Sequence, residues 1–172
     1  MLNLEEKLRF PIFKLLQQAA DSLELETYVV GGYVRDAIMN RPCKDIDVVT
    51  IGSGIKLANK LHEMLGSKTS KVSVFRNFGT AMLNYKDGKE VWQIEFVGAR
   101  KESYNRDSRK PIVENGTLED DQNRRDFTIN DIAASLNKDT FGEVLDPFGG
   151  FDDIFSSFSQ EKRVNLRFKK YA

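Results

Sequence analysis

The 172-residue chain is poor in cysteine, balanced in charge and without a long apolar run. Its single cysteine, Cys43, cannot form a disulfide within the chain, which favours a reducing compartment. Lys+Arg and Asp+Glu both count 26, so a large field of one sign is absent and contact with nucleic acid requires local basic patches. No apolar run approaches the ~20 residues that cross a bilayer, and the polar N-terminus does not resemble a signal peptide. These absences predict a cytoplasmic protein with no membrane partner.

The residues that are present predict one mixed α/β domain. Hydrophobic residues make up 40% and charged residues 30%, which is typical of a soluble globular protein. Short β-branched or alternating runs predict strands, and apolar positions three and four residues apart predict helices. The predicted strands are 28–30, 46–51, 72–75, 80–85 and 90–97, and the predicted helices are one beginning near Pro11, 34–39 and 55–65.

The region after residue 97 is less regular. Residues 98–123 are polar and are expected to form a long loop, a kind of segment that often carries function. Thr117 followed by Asp120 is typical of a capping box, so a helix is expected to begin there and to run to about Ala134. Residues 137–145 are expected to form a small hairpin.

Two carboxylates, Asp45 and Asp47, stand two residues apart at the start of a predicted strand and therefore share one face of it. They repel each other by about 4 kcal/mol at an effective dielectric of about 20, and a divalent cation relieves that repulsion. Oxygen ligands without a nearby His or Cys favour Mg²⁺ or Mn²⁺ over Zn²⁺. Taken alone, the pair also fits a solvated strand end.

A third carboxylate, Glu95, lies on another predicted strand, where alternation places it opposite Trp92, Ile94 and Phe96. It also fits an exposed strand residue. If this strand neighbours the strand of the two aspartates, three carboxylates could hold two metal ions, activate an attacking hydroxyl and stabilise a leaving pyrophosphate.

The glycine pair Gly31-Gly32 follows a predicted strand and precedes a predicted helix. Glycines let the backbone approach a phosphate closely, and the N–H groups at a helix start attract anions. Arg35 could add a bidentate contact to the phosphate. The alternative is an ordinary turn, and the nearby aspartates make the phosphate hypothesis preferable.

A second unusual cluster is Arg124-Arg125-Asp126. Two adjacent arginines point to different faces of a helix, so one could reach a ligand while the other pairs within the protein. A solvated helix with local ion pairs is the alternative.

With these clusters in place, the sequence resembles the head domain of class II tRNA CCA-adding enzymes and bacterial poly(A) polymerases. Three patterns within residues 25–153 carry the resemblance. The first is G-G-x-V-R-D followed by D-x-D, at 31–36 and 45–47. The second is R-R-D-F-T-I-N at 124–130. The third is a strand glutamate, Glu95, followed five residues later by Arg100.

The resemblance implies a polymerase-β-like nucleotidyltransferase fold, with a roughly five-stranded mixed sheet flanked by helices. It implies that Asp45, Asp47 and Glu95 are catalytic and hold Mg²⁺ or Mn²⁺. It also implies that the nucleotide and its triphosphate are bound by Gly31, Gly32, Arg35, Arg125 and Asp126. Such enzymes transfer CMP or AMP from CTP or ATP to an RNA 3′ end, and a tRNA is the expected acceptor.

The resemblance fades after Asp153, and no E-D-x-x-R-like motif, which selects the base in the family, follows. The expected domains are therefore an N-terminal helical segment (1–24), a nucleotidyltransferase head (25–154) and a truncated neck remnant or basic tail (155–172). The basic residues of that tail are Lys162, Arg163, Arg167, Lys169 and Lys170.

Two alternatives to a catalytic RNA-modifying head stay open. One is a non-catalytic nucleotide-binding or partner-binding module left by truncation or by a split enzyme. Because a head alone would expose apolar surface where a neck packs, its partner could be a second copy or a separate neck or body chain. The other alternative is a nucleotidyltransferase that acts on a small molecule.

Overall fold

The computed structural model describes residues 2–103 and 112–156. In these ranges the strands are β1 (Thr27–Val30), β2 (Asp45–Thr50), β3 (Ser73–Phe75), β4 (Thr80–Asp87), β5 (Glu90–Gly98), β6 (Arg100–Ser103), β7 (Ile112–Asn115), β8 (Ala133–Ser135) and β9 (Val144–Leu145). The α-helices are α1 (Pro11–Ser22), α2 (Gly32–Ile38), α3 (Gly54–Leu65), α4 (Leu118–Asn123) and α5 (Gly150–Ser156).

Seven strands form one mixed sheet in the order β3-β4-β5-β2-β1-β8-β9, and β6 pairs with β7 in a separate ribbon. Strands β2 and β5 run parallel, and the other neighbouring pairs of the large sheet are antiparallel. The predicted mixed α/β fold is confirmed. The sheet has seven strands rather than about five because two short strands, β8 and β9, extend it beyond β1.

The main core lies on one face of this sheet. Along β5, Trp92, Ile94 and Phe96 are buried, while Gln93 and Glu95 on the opposite face are exposed, as the alternation predicts. Helices α1 and α3 supply the other side of this core. Each large apolar side chain buried here stabilises the fold by about 1.5–3 kcal/mol.

Local signals fix where these two helices begin. Pro11 occupies the first turn of α1, where a missing N–H is tolerated. Ser53 caps α3, because its hydroxyl accepts a hydrogen bond from the backbone N–H of Lys56 at 3.2 Å. None of the described helices has the length and apolar character needed to span a membrane.

A second, smaller core covers part of the opposite face of the sheet. It contains Tyr28, Val30, Val49 and Ala99, together with Leu118, the first residue of α4. This core covers the opposite face of the sheet around the end of β2, from Val49 onward. The start of β2 and the middle of β5 remain open, which leaves polar side chains of those strands accessible.

The expected long loop at 98–123 is wrong, because much of it is a two-stranded ribbon. Residues Arg100–Ser103 pair with Ile112–Asn115. No alternation of apolar and polar residues marks these strands, since Arg100–Ser103 has no apolar residue and the ribbon lies outside the large sheet.

The expected helix from Thr117 to Ala134 is also wrong in length. The capping box between Thr117 and Asp120 forms, but the helix ends at Asn123. The chain then makes a 3₁₀ turn at Thr128–Asn130 and enters β8. Ala133 and Ala134 favour helices, but pairing with β1 in the buried sheet overrides that preference.

The hairpin expected at 137–145 forms between β8 and β9, but its first strand, Ala133–Ser135, lies before the expected range. The N-terminal segment lies beside it: the Leu4 N–H donates to the Gly142 carbonyl at 2.8 Å. Of the tail predicted at 155–172, only Phe155 and Ser156 are described, and its five basic residues lie outside the described ranges. The predicted domain boundaries stay predictions.

Candidate functional site

The parallel pairing of β2 with β5 places the three predicted carboxylates on one face of the sheet. Asp47 lies directly beside Glu95, and Asp45 lies beside Gln93. Neighbouring strands are about 4.8 Å apart, so Asp47 and Glu95 are adjacent residues although 48 positions separate them along the chain. Asp45 and Glu95 are exposed and Asp47 is half-buried.

The shared face does not by itself amount to a closed metal site. Among the described residues, which include all three carboxylates, no group of three His, Cys, Asp or Glu side chains lies close enough together to hold a metal ion. The carboxylates offer oxygen ligands only, and this donor type fits Mg²⁺ or Mn²⁺.

The environment of Asp47 also suits a cation. Burial raises the pKa of this carboxyl above its ordinary value, and the charges of Asp45 and Asp121 raise it further, while Arg125 lowers it. The ionised form of Asp47 is therefore held at a disadvantage, which a bound divalent cation would relieve.

Gly31 connects β1 to α2 and is packed against the same carboxylate. Its φ of 73° and ψ of −140° form a conformation that is accessible almost only to glycine. A Cβ atom at this position would lie 3.0 Å from Asp47 Oδ2 and 3.6 Å from Arg125 Nη1. The first turn of α2, Asp47 and Arg125 therefore meet around a backbone that has no side chain.

Gly32 opens α2, and Arg35 lies one turn further on the same helix. A Cβ atom at Gly32 would lie 3.6 Å from Arg35 Nη2. The guanidinium of Arg35 donates from Nε to Asp36 Oδ1 at 2.9 Å and from Nη1 to Asn130 Oδ1 at 3.1 Å. Two neighbours thus orient Arg35 at the helix start. Sequence reasoning quoted Asn130 within a motif but gave it no role.

Arg124 and Arg125 share one buried carboxylate, Asp121. Arg124 donates to Asp121 Oδ1 from Nε at 3.0 Å and from Nη2 at 2.7 Å, and Arg125 Nε donates to Asp121 Oδ2 at 3.0 Å. The sequence predicted that one arginine would pair within the protein and that the other could reach a ligand. Both pair with Asp121, because the helix ends before them and both turn back toward it. Sequence reasoning missed Asp121, although the spacings of three and four residues are typical of helical ion pairs.

Two further predicted residues lie near these elements. Asp126 is exposed and lies between α4 and the turn Thr128–Asn130. It belongs to no strand of the sheet, so strand pairing does not bring it beside the three carboxylates. Arg100 opens β6, and its Nη1 donates to the Phe78 carbonyl at 2.9 Å. The structure thus gathers Gly31, Asp47 and Arg125 closely, with Glu95 in the adjacent strand.

Comparison with known proteins agrees with these motifs. Residues 27–158 match the family model described as the poly A polymerase head domain. An A-adding tRNA nucleotidyltransferase of Geobacter sulfurreducens is 37% identical over 151 residues, which cover 88% of this chain and 16% of the relative.

Solved structures show the same similarity. A CCA-adding enzyme in an apo form superposes with a TM-score of 0.74 at 34% identity, covering 89% of this chain and 36% of that chain. A tRNA nucleotidyltransferase complexed with a primer tRNA and an incoming ATP analog gives 0.66 at 38% identity, covering 81% and 36%. This chain therefore spans about a sixth to a third of the length of these proteins.

The mixed sheet and its motifs define a nucleotidyltransferase fold of the kind found in CCA-adding enzymes. The chain belongs to the poly A polymerase head-domain family. The resemblance predicted from its three sequence patterns is confirmed.

Proposed function

We propose that this chain is the catalytic head of an RNA nucleotidyltransferase that transfers CMP or AMP from CTP or ATP to the 3′ end of a tRNA. The observation that carries the proposal is the convergence of Gly31, Asp47 and Arg125, with Glu95 beside Asp47 in the next strand. It places an anion-binding helix start next to carboxylates on an open sheet face.

The chain's own residues have distinct tasks in this proposal. The bare backbone at Gly31 and Gly32 admits the triphosphate, and Arg35 binds it from one turn along the same helix. Arg125, held by Asp121, contributes positive charge on the Asp47 side. Asp126 is assigned to the nucleotide through the family resemblance.

Asp45, Asp47 and Glu95 are assigned to hold Mg²⁺ or Mn²⁺. Such ions, when bound, polarise the α-phosphate, favour deprotonation of the attacking 3′ hydroxyl and stabilise the leaving pyrophosphate. The raised pKa of Asp47 supports this assignment, because a half-buried carboxylate with acidic neighbours gains from a nearby cation.

A tRNA acceptor is supported by the proteins that this chain resembles. One is named an A-adding tRNA nucleotidyltransferase, and one structure contains a primer tRNA and an ATP analog. A cytoplasmic location fits that substrate.

The first test is titration calorimetry of ATP and CTP with and without Mg²⁺, followed by a transfer assay with labelled nucleotide and a tRNA that lacks its 3′ end. We expect Mg²⁺-dependent binding and transfer. Asp47→Ala should abolish transfer, whereas Asp87→Ala, at the exposed end of β4, should leave it unchanged. Unchanged transfer by Asp47→Ala would refute the catalytic assignment.

A non-catalytic nucleotide-binding module is the second candidate. It is favoured by the side-chain arrangement, since no three potential metal ligands are grouped in the described ranges. Triphosphate binding without any transfer to tRNA would support this module, and both results come from the same two assays.

A further inference from the structure

We propose that Phe75 binds the acceptor RNA by stacking on a base near its 3′ end. This inference rests on the proposed function and adds a residue that none of the sequence motifs contains. It follows from where Phe75 stands in the sheet, from its exposure and from the charge of its surroundings.

The strand register fixes the face on which Phe75 lies. Phe75 pairs with Thr80, Thr80 pairs with Val97, and Val97 shares its face with Glu95, two residues earlier on β5. Directly paired residues point to the same side of a sheet, so Phe75 is on the face of the carboxylates. Its neighbour Val74 pairs with Ala81, which is buried on the opposite face in the main core.

The distance suits a bound strand. Phe75 is two strands and two residues away from Glu95, which corresponds to about 12 Å between their Cα atoms. Gly31, Arg35 and Arg125 lie on the other side of Asp47, toward β1 and α2. If the incoming triphosphate occupies that side, the side of β5, β4 and β3 is left for the acceptor strand.

Phe75 is available for stacking. Phe75 is 44% exposed, so part of its surface is open to a ligand. The face between it and Glu95 carries the uncharged side chains of Thr80 and Met82 on β4. Surfaces that bind single-stranded nucleic acid typically combine exposed aromatic rings with positively charged groups that follow the backbone.

The charge of the segment around β3 favours an RNA over a basic or an apolar partner. Between Glu63 and Asp87 the sequence contains four cations and no carboxylate, although the whole chain has equal numbers of both. The four are Lys68, Lys71, Arg76 and Lys86. Two of them, Lys71 and Arg76, flank β3 and are exposed, so the edge that carries Phe75 attracts phosphates.

The test measures RNA binding and nucleotide binding separately. The probe is a fluorescein-labelled single-stranded RNA of about ten nucleotides, a length that spans a typical single-strand site. Its anisotropy is followed at low salt with the full chain, while titration calorimetry measures ATP binding with Mg²⁺. The variants are Phe75→Ala, Phe75→Leu and Phe75→Trp, with Val74→Ala as the control on the same strand but the opposite face.

We expect Phe75→Ala to weaken RNA binding about fivefold to 150-fold, the range for loss of one base–aromatic stack. Phe75→Leu, which keeps apolar bulk without an aromatic face, should weaken it at least fivefold. Phe75→Trp and Val74→Ala should bind RNA as the wild type does. ATP affinity should be the same in all five proteins.

Several results would overturn the inference. Wild-type RNA affinity in Phe75→Ala refutes it, as does equal weakening by Val74→Ala. A dimer in light scattering that Phe75→Ala dissociates, with RNA binding unchanged, would assign the residue to self-association instead. ATP binding without RNA binding by the wild type refutes this inference alone, whereas loss of ATP binding as well would also refute the proposed function.

Discussion

Replacement of Asp121 by asparagine tests whether one buried carboxylate organises the arginine side of the site. Asp121 is fully buried and receives three hydrogen bonds from Arg124 and Arg125. Asparagine has nearly the same shape, but its amide nitrogen cannot accept from a guanidinium. The variant therefore removes the charge and leaves two arginines competing for one oxygen.

The expected loss of stability follows from the burial of this group. Removal of one partner of a buried ion pair costs about 3–5 kcal/mol. The arginine side chains are 34% and 22% exposed and can regain water, so we expect the lower end, about 3 kcal/mol. For a domain of this size that corresponds to a fall in Tm of about 6–12 °C.

The loss should extend to ligand binding. Arg125 Nη1 lies near Gly31 only while Asp121 holds the guanidinium, so Asp121→Asn should weaken Mg²⁺-ATP binding in calorimetry at a temperature where the variant is folded. Glu119→Gln, an exposed acid on the same helix, is the control and should stay within about 0.5 kcal/mol of wild type in urea unfolding. Asp121→Asn with wild-type Tm and wild-type ATP affinity would show that the described contacts do not organise the site.

Three further variants test other contacts of the site. The folded state raises the pKa of Asp47 above its ordinary 3.8, so the ionised carboxylate, which predominates at neutral pH, destabilises the fold, and this cost disappears below about pH 4. Asp47→Asn should therefore be more stable than wild type in urea unfolding at pH 7, and the difference should shrink toward pH 4. A difference that does not depend on pH would contradict this. Gly31→Ala should lose about 1–3 kcal/mol of stability through strain at positive φ and should also weaken ATP binding. Gly88→Ala, with φ 61° and open space around it, is the control and should lose stability alone. Equal ATP binding by both variants would show that Gly31 does not bind the phosphates. Asn130→Ala should weaken ATP binding less than tenfold in calorimetry, since it removes one neutral hydrogen-bond acceptor from Arg35. A loss of ATP affinity as large as that of Arg35→Ala would mean that Asn130 contacts the nucleotide itself.

Short-range patterns predicted much of this molecule. Alternation on β5 separates Trp92, Ile94 and Phe96 from Glu95, and the structure has the same division. Pro11 at the start of α1 and the capping box at Thr117 are confirmed as well. Each of these features depends on residues within one turn or one strand, so the sequence contains the whole cause.

The features that sequence reasoning missed depend on residues that are distant along the chain. The sequence alone does not predict that Asp47 and Glu95 are adjacent, because no local pattern specifies which strands are neighbours. Ala133 and Ala134 form a strand instead of the predicted helix because they pair with β1, which lies about 100 residues earlier in the chain. The shared use of Asp121 by two arginines could have been anticipated from spacing, but its complete burial could not.

Parallel pairing of β2 with β5 means that the backbone ladder, rather than any side-chain bond, sets which residue stands beside Asp47. A slip of one position would bring Ile94 or Phe96 next to it and would turn Glu95 into the apolar interior. A one-residue deletion within β5 should consequently disrupt both the apolar core and the pairing of Glu95 with Asp47. The same deletion at the surface turn Gly66–Lys68, before β3, can be absorbed by the connecting chain.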